Sequence, residues 1–274
     1  MKFGLCSFSY RWSIGRPYYR PATPMTIDTF LEKTAQHGMR YAMLCNNTEW
    51  NTLSQTRLQE IRDKSDALGI SLDLGIREME PEKYYRAFQD AQILGASVMR
   101  FVYDLERKRD PAEDKQEVDK MRHLLDQVLP AAEKAGITMA MENGPFLLHD
   151  EIKELILEYN SPNLGACLDS MNCAYAIYRA EEVFQTLAPY AKMVHLKDFV
   201  VEPNKRGYIF RGVALGDGIL DIKRLADCLT EANYSGKAYL ELYIDRKENE
   251  PDTFEYEESS VHRSVEYAKE IGLL

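Results

Sequence analysis

Short apolar runs and amphipathic stretches alternate along this chain from one end to the other. Strand-like runs occupy 2–8, 39–46, 71–77, 97–103, 137–142, 164–169, 192–198 and 238–244. Between them lie helix-compatible segments at 27–37, 54–68, 82–94, 115–135, 150–159, 180–188, 219–232 and 256–271. Their apolar residues recur three or four positions apart, as Leu124, Leu125, Val128 and Leu129 do. Gly38, Gly69, Gly95 and Gly136 follow such segments where a helix C-terminus would want a glycine. Strand–helix alternation predicts parallel strands with right-handed crossovers, and eight units favour closure into a (β/α)8 TIM barrel. A length of 274 residues suits one such barrel, so residues 1–274 are expected to form a single α/β domain. The polar stretch 104–116 reads as a βα loop entering a long helix. Residues 199–218 read as an irregular loop of the kind that often serves as a lid or binding segment.

The four later strands each end on a potential metal ligand: Glu142, Asp169, His195 and Glu241. Alternation within each strand gives all four the same orientation. Met139 and Met141 face the helices while Ala140 and Glu142 face inward, and Leu164, Ala166 and Leu168 leave Gly165, Cys167 and Asp169 inside. Val194 and Leu196 flank His195, and Leu240 and Leu242 flank Glu241, in the same way. The ligands therefore meet at the C-terminal face of the barrel, where this architecture places its active sites. Three carboxylates buried together would repel one another and take up protons unless a cation joined them. The donor set predicts one divalent cation, Mn²⁺ first, with Mg²⁺, Co²⁺ and Zn²⁺ as alternatives. Asn143, Asn172, Lys197, Asp198 and Arg211 surround this set as hydrogen-bonding groups for a polyol, though each is equally well explained as a solvated loop residue. Arg77 and Arg100 point into the barrel by parity and need acidic partners there, such as Asp73 or Asp104. Phe8, Tyr10, Trp12, Asn46, Asn47 and Trp50 follow the first two strands, where they serve substrate stacking or loop packing alike.

A net charge of −10 argues against nucleic acid as a partner, while leaving room for a local basic pocket. Lys205, Arg206 and Arg211 are one candidate for such a pocket, near where these barrels often bind phosphate. No apolar stretch approaches the roughly 20 residues that span a bilayer, and the N-terminus reads as a first strand rather than a leader. Five cysteines without a C-x-x-C pair suggest reduced thiols and a cytoplasmic setting. Cys6, Cys45 and Cys167 read as small buried hydrophobes.

The order Met-Glu142-Asn143, Leu-Asp169-Ser-Met-Asn172, Val-His195-Leu-Lys197-Asp198, Gly216-Asp-Gly218 and Leu-Glu241 resembles the xylose isomerase-like TIM barrels. The resemblance implies the barrel fold and a metal set of Glu142, Asp169, His195 and Glu241. It also implies that Glu142 and Glu241 act as catalytic acid and base. Ketose 3-epimerases of that superfamily place a His where this chain has Asn172 and a Glu where it has Leu148. Arg211 lies five residues before Gly216, one more than in the epimerase pattern. Endonuclease IV, in the same superfamily, needs several strand-end histidines, and three of the five here fall in predicted helices.

These readings converge on a metal-dependent isomerase or epimerase of a small sugar or ketose, phosphorylated or not, acting through an enediolate. The alternative is a metal-dependent lyase that dehydrates a keto-inositol or a 3-keto sugar from the same intermediate. Asn172, Lys197, Asp198 and Arg211 are the substrate-binding candidates. The partners expected are a small sugar or polyol and copies of the same chain in a dimer or tetramer, with no membrane.

Overall fold

The computed structural model describes residues 1–102, 111–144 and 147–274. β1 (Lys2–Cys6), β2 (Tyr41–Leu44), β3 (Ser71–Arg77) and β4 (Val98–Val102) form one half of a barrel. β5 (Thr138–Glu142), β6 (Leu164–Asp169) and β7 (Ala191–Leu196) continue it. β8 (Asp198–Asn204) and β9 (Gly207–Val213) make an antiparallel hairpin outside the ring. β10 (Lys237–Leu240) then pairs with β7 on one side and β1 on the other, closing a parallel barrel of eight strands. The expected (β/α)8 architecture is therefore what the chain adopts.

Helices at Ile27–Gln36, Gln55–Ala67, Pro81–Leu94, Pro111–Ala135, His149–Tyr159, Ala180–Leu187, Ile222–Glu231 and Glu250–Glu270 cover the outside. Gly95 ends the third of these in the left-handed region, at φ 66°, where its N–H returns to the Ala91 carbonyl. Burial divides as the strand alternation predicts. Met139, Met141, Leu168, Val194, Leu196 and Leu240 pack in the layer shared with the helices. Cys6, Met43, Cys45, Ala140, Cys167 and Tyr239 belong to a separate cluster inside the barrel. Towards the opposite end of the barrel from the site, buried Asp73 accepts hydrogen bonds from Lys237 Nζ (2.9 Å) and Tyr239 Oη (2.8 Å).

Three expectations need correction. Residues 199–218 are largely the β8–β9 hairpin, not an irregular loop. Its strands carry exposed residues on both faces and Pro203, which hid the alternation, and Phe199 and Phe210 hold it together with ring centroids 5.4 Å apart. The last helix begins at Glu250, capped by Asn249 through the Asp252 N–H, and not at 256. Asp73 serves Lys237 and Tyr239, whereas the partner of Arg100 is Glu142; Asp104 lies outside the described residues. No helix among the described residues is long and apolar enough to cross a membrane.

Candidate active site

Glu142 and Asp169 are the last residues of β5 and β6, His195 is the penultimate residue of β7, and Glu241 directly follows β10. All four side chains are buried, and each offers a ligand atom within 4.8 Å of the others. His195 Nδ1 lies 2.8 Å from Glu142 Oε1, 3.0 Å from Glu241 Oε2 and 3.8 Å from Asp169 Oδ2. His195 Nε2 faces the Met43 sulfur at 3.1 Å.

Neighbouring backbone fixes Asp169. Its N–H donates to Asn143 Oδ1 (2.7 Å), and its carbonyl accepts from Asn143 Nδ2 (3.1 Å). Its Oδ1 accepts from the N–H groups of Met171 and Asn172, both at 2.9 Å. That leaves Oδ2, buried and without a well-aligned hydrogen bond, facing Lys197 Nζ at 2.7 Å. Lys197 Nζ also lies 2.6 Å from Glu241 Oε1. Ser170 ties the Lys197 backbone in place by donating to its carbonyl and accepting from its N–H. Arg100 Nε approaches Glu142 Oε2 at 3.1 Å.

Charge within the cluster is thus partly balanced by the chain itself. Burial alone would raise the Glu142 carboxyl, yet Arg100, His195 and Lys197 outweigh it and hold Glu142 at about 2. Glu241 is likewise held well below the ordinary carboxylate range, with Lys197 and His195 overcoming its burial. Asp169 goes the other way: burial pushes it up to about 6 against the pull of Lys197. The surrounding carboxylates more than offset the burial of Lys197, which stays an ammonium.

Above the cluster opens a cavity of about 310 Å³, at the small end of ligand pockets. Among the expected substrate residues, Lys197 and Asn172 line it. Asn172 Nδ2 meanwhile donates to the Asn143 carbonyl at 3.0 Å. Asp198 and Arg211 are not part of the lining. Asp198 accepts from the N–H groups of Phe199, Gly216, Gly218 and Leu220, so it shapes the loop after the hairpin. Arg211 sits on β9, half exposed, and pairs with Glu202 (2.7 Å) and Asp245. Lys205 and Arg206 occupy the hairpin turn. Tyr10 and Trp50 are core residues, while Phe8 and Asn46 do reach the cavity.

Sequence reasoning missed Arg11, Arg16, Tyr175 and Tyr243, which also line the cavity. Two of them carry the charge that matters most here. Arg11 and Arg16 follow β1 in the loop on the catalytic face, and their basic character between aromatic residues was the available signal.

Comparison with known proteins agrees with this fold. A family model described as the xylose isomerase-like TIM barrel matches residues 15–270. The chain belongs to this family. A curated relative, 3-oxo-isoapionate decarboxylase from Pectobacterium atrosepticum (strain SCRI 1043), is 26% identical over 269 residues, covering 97% of this chain and 94% of the relative. Among solved structures, D-psicose 3-epimerase in the presence of D-fructose superposes with a TM-score of 0.76 at 15% identity, covering 100% of both chains. A family protein from Mycobacterium smegmatis in complex with magnesium superposes with a TM-score of 0.69 at 14% identity, over 99% of this chain and 96% of that one. Family members bind a divalent metal, and the donor set here fits one. Three carboxylates and an imidazole converge, and the buried Asp169 Oδ2 lacks a well-aligned partner.

Proposed function

We propose that this protein is a divalent-metal-dependent enzyme that decarboxylates a small 3-oxo sugar acid. The observation that carries the reading is the charge of the cavity. Arg11 and Arg16 line it with no ion-paired carboxylate among the described residues, beside Arg100 and Lys197, which the carboxylates of Glu142, Asp169 and Glu241 answer. On a chain of net charge −10, so cationic a lining favours an anionic substrate. The name of the Pectobacterium relative, a decarboxylase of a 3-oxo acid, supports the same choice.

Glu142, Asp169, His195 and Glu241 are the residues to hold the ion, and their oxygen-rich set suits manganese or magnesium better than a thiolate-selecting metal. Bound there, the ion supplies Lewis-acid polarisation of a keto oxygen. The side chains do the rest. Guanidinium groups receive the carboxylate and orient the bond that breaks. When that C–C bond breaks, carbon dioxide leaves and the electron pair stays with the carbon next to the ketone, as an enolate. One proton must then return to this carbon. Lys197 Nζ, placed between Asp169 Oδ2 and Glu241 Oε1 and reaching the cavity, is the donor we assign.

One observation favours the isomerase or epimerase as a second reading. Glu142 and Glu241 both reach the cavity, a carboxylate pair able to remove and return a proton. Incubating the metal-loaded protein with 3-oxo aldonates, neutral ketoses and a keto-inositol in D₂O separates the possibilities. The expected result is carbon dioxide released from the acid, with one deuterium in the product. Deuterium entering a ketose with all carbons retained would install the isomerase reading instead, and an unsaturated product would install the dehydratase. Chelation should stop carbon dioxide release and an added divalent ion should restore it; release that survives chelation refutes the metal assignment.

A further inference from the structure

We propose that Arg11 and Arg16 form a carboxylate-binding subsite in the cavity wall, a guanidinium pair that receives the acid group of the substrate. The inference deepens the sugar-acid reading above and rests on it. Arg11 belongs to a short helix, Arg11–Ile14, that follows β1, and its side chain is only 3% exposed. Among the described residues, no carboxylate pairs with it. Its neighbours are the Tyr243 ring, 3.8 Å from the guanidinium carbon to the centroid, the Trp12 ring at 5.2 Å, and Tyr18 Oη at 3.5 Å. Arg16 is partly buried and equally without an acidic partner, between the rings of Phe8 (5.1 Å) and Tyr18 (5.4 Å). The Nε of each is buried and has no hydrogen-bond partner.

Most arginines elsewhere in the chain are balanced by an acid. Arg57, Arg62, Arg122, Arg211, Arg224 and Arg263 have one or two each, and buried Arg100 has Glu142. Arg11 and Arg16 break that rule while lining the same cavity. A guanidinium cannot shed its proton to escape the cost of desolvation as a lysine can. Two such groups side by side also repel each other, and burial together with Arg11 lowers the proton affinity of Arg16. The aromatic faces around them recover part of the cost. What completes the balance is an anion with two oxygens, because a carboxylate matches the fork of donors on a guanidinium. Among the described residues no ion pair joins either arginine to the four metal-set residues, although the charge of Glu241 is felt at Arg16.

The test uses metal-free protein and L-threonate, a sugar acid with no keto group to react, beside its neutral counterpart threitol and inorganic phosphate. Calorimetry should show threonate binding at least tenfold more tightly than threitol. Arg11→Gln and Arg16→Gln should each weaken threonate about tenfold while leaving threitol unchanged. On the unsubstituted protein, phenylglyoxal should modify Arg11 and Arg16, read by peptide mass, and threonate but not threitol should protect them. This second arm holds even where a variant fails to fold. Equal affinity for threonate and threitol, or absence of protection, overturns the subsite. Phosphate binding more tightly than threonate overturns its assignment to a carboxylate. Arginine-dependent threonate binding without any carbon dioxide release sinks only the decarboxylase reading. Carbon dioxide release undiminished in both variants sinks only the subsite.

Discussion

Glu257 offers a test of how burial and hydrogen bonding compete in this protein. It lies on the last helix, fully buried, and its carboxylate accepts from the N–H groups of Trp12 (2.6 Å) and Ser13 (2.8 Å) and from the Ser13 hydroxyl (2.5 Å). It thereby anchors the short helix that presents Arg11. Burial pushes its carboxyl from 4.5 up to about 7, and those donors only partly counter it. A carboxyl raised in the folded state binds its proton more tightly there than in the unfolded chain. Its contribution to stability is therefore complete below the unfolded value of 4.5 and is lost as pH climbs through about 7. From about pH 5 to about pH 8 the linkage amounts to roughly 2–3 kcal/mol. Glu257→Gln removes the titration while keeping an acceptor oxygen. Denaturant unfolding of both proteins at the two pH values isolates the group, since the other titrations cancel in the difference. The variant should gain about 2–3 kcal/mol on the parent as pH rises. If the parent instead gains on the variant, the three donors stabilise the ionised form more than burial penalises it, and the reasoning fails.

Asp73→Ala should cost about 3–5 kcal/mol in equilibrium unfolding, because it strands the Lys237 ammonium and the Tyr239 hydroxyl inside the barrel. Asp73→Asn, which can still accept from Tyr239, should cost less, and equal losses would mean that the charge of Asp73 does not matter. Arg211→Gln should leave the unfolding midpoint essentially unchanged, since both its ion pairs are at the surface and screened by solvent. It should also leave kcat/KM within about twofold, and a tenfold loss would place the hairpin over the cavity during turnover.

The barrel and the four candidate ligands were legible because both depend on local periodicity. An alternating strand that ends on Glu142 or Asp169 declares which face that residue takes, and neighbouring strands in a closed parallel ring bring equivalent ends together. The hairpin was not legible, since β8 and β9 bury almost nothing beyond Phe199 and leave no apolar period to read. Asp198 looked like a substrate group because its position near His195 matches a motif. Its carboxylate is instead consumed by backbone N–H groups of a loop some twenty residues further on, a pairing that no local pattern encodes.

The cations of the site were hidden for a similar reason, and they change the argument for a metal. From the sequence, three buried carboxylates demanded an ion to offset their repulsion. In the folded chain Arg100 and Lys197 already meet Glu142, Asp169 and Glu241 within 3.1 Å, so repulsion alone no longer requires one. What still argues for an ion is the convergence of four donors on one point and the poorly satisfied Asp169 Oδ2. Each carboxylate thus has a cation of the protein beside it, which lowers the cost of gathering the three at one end of the barrel. Charge left over then lies with Arg11 and Arg16, which have no acid among the described residues to answer them and which line the cavity that a substrate must enter.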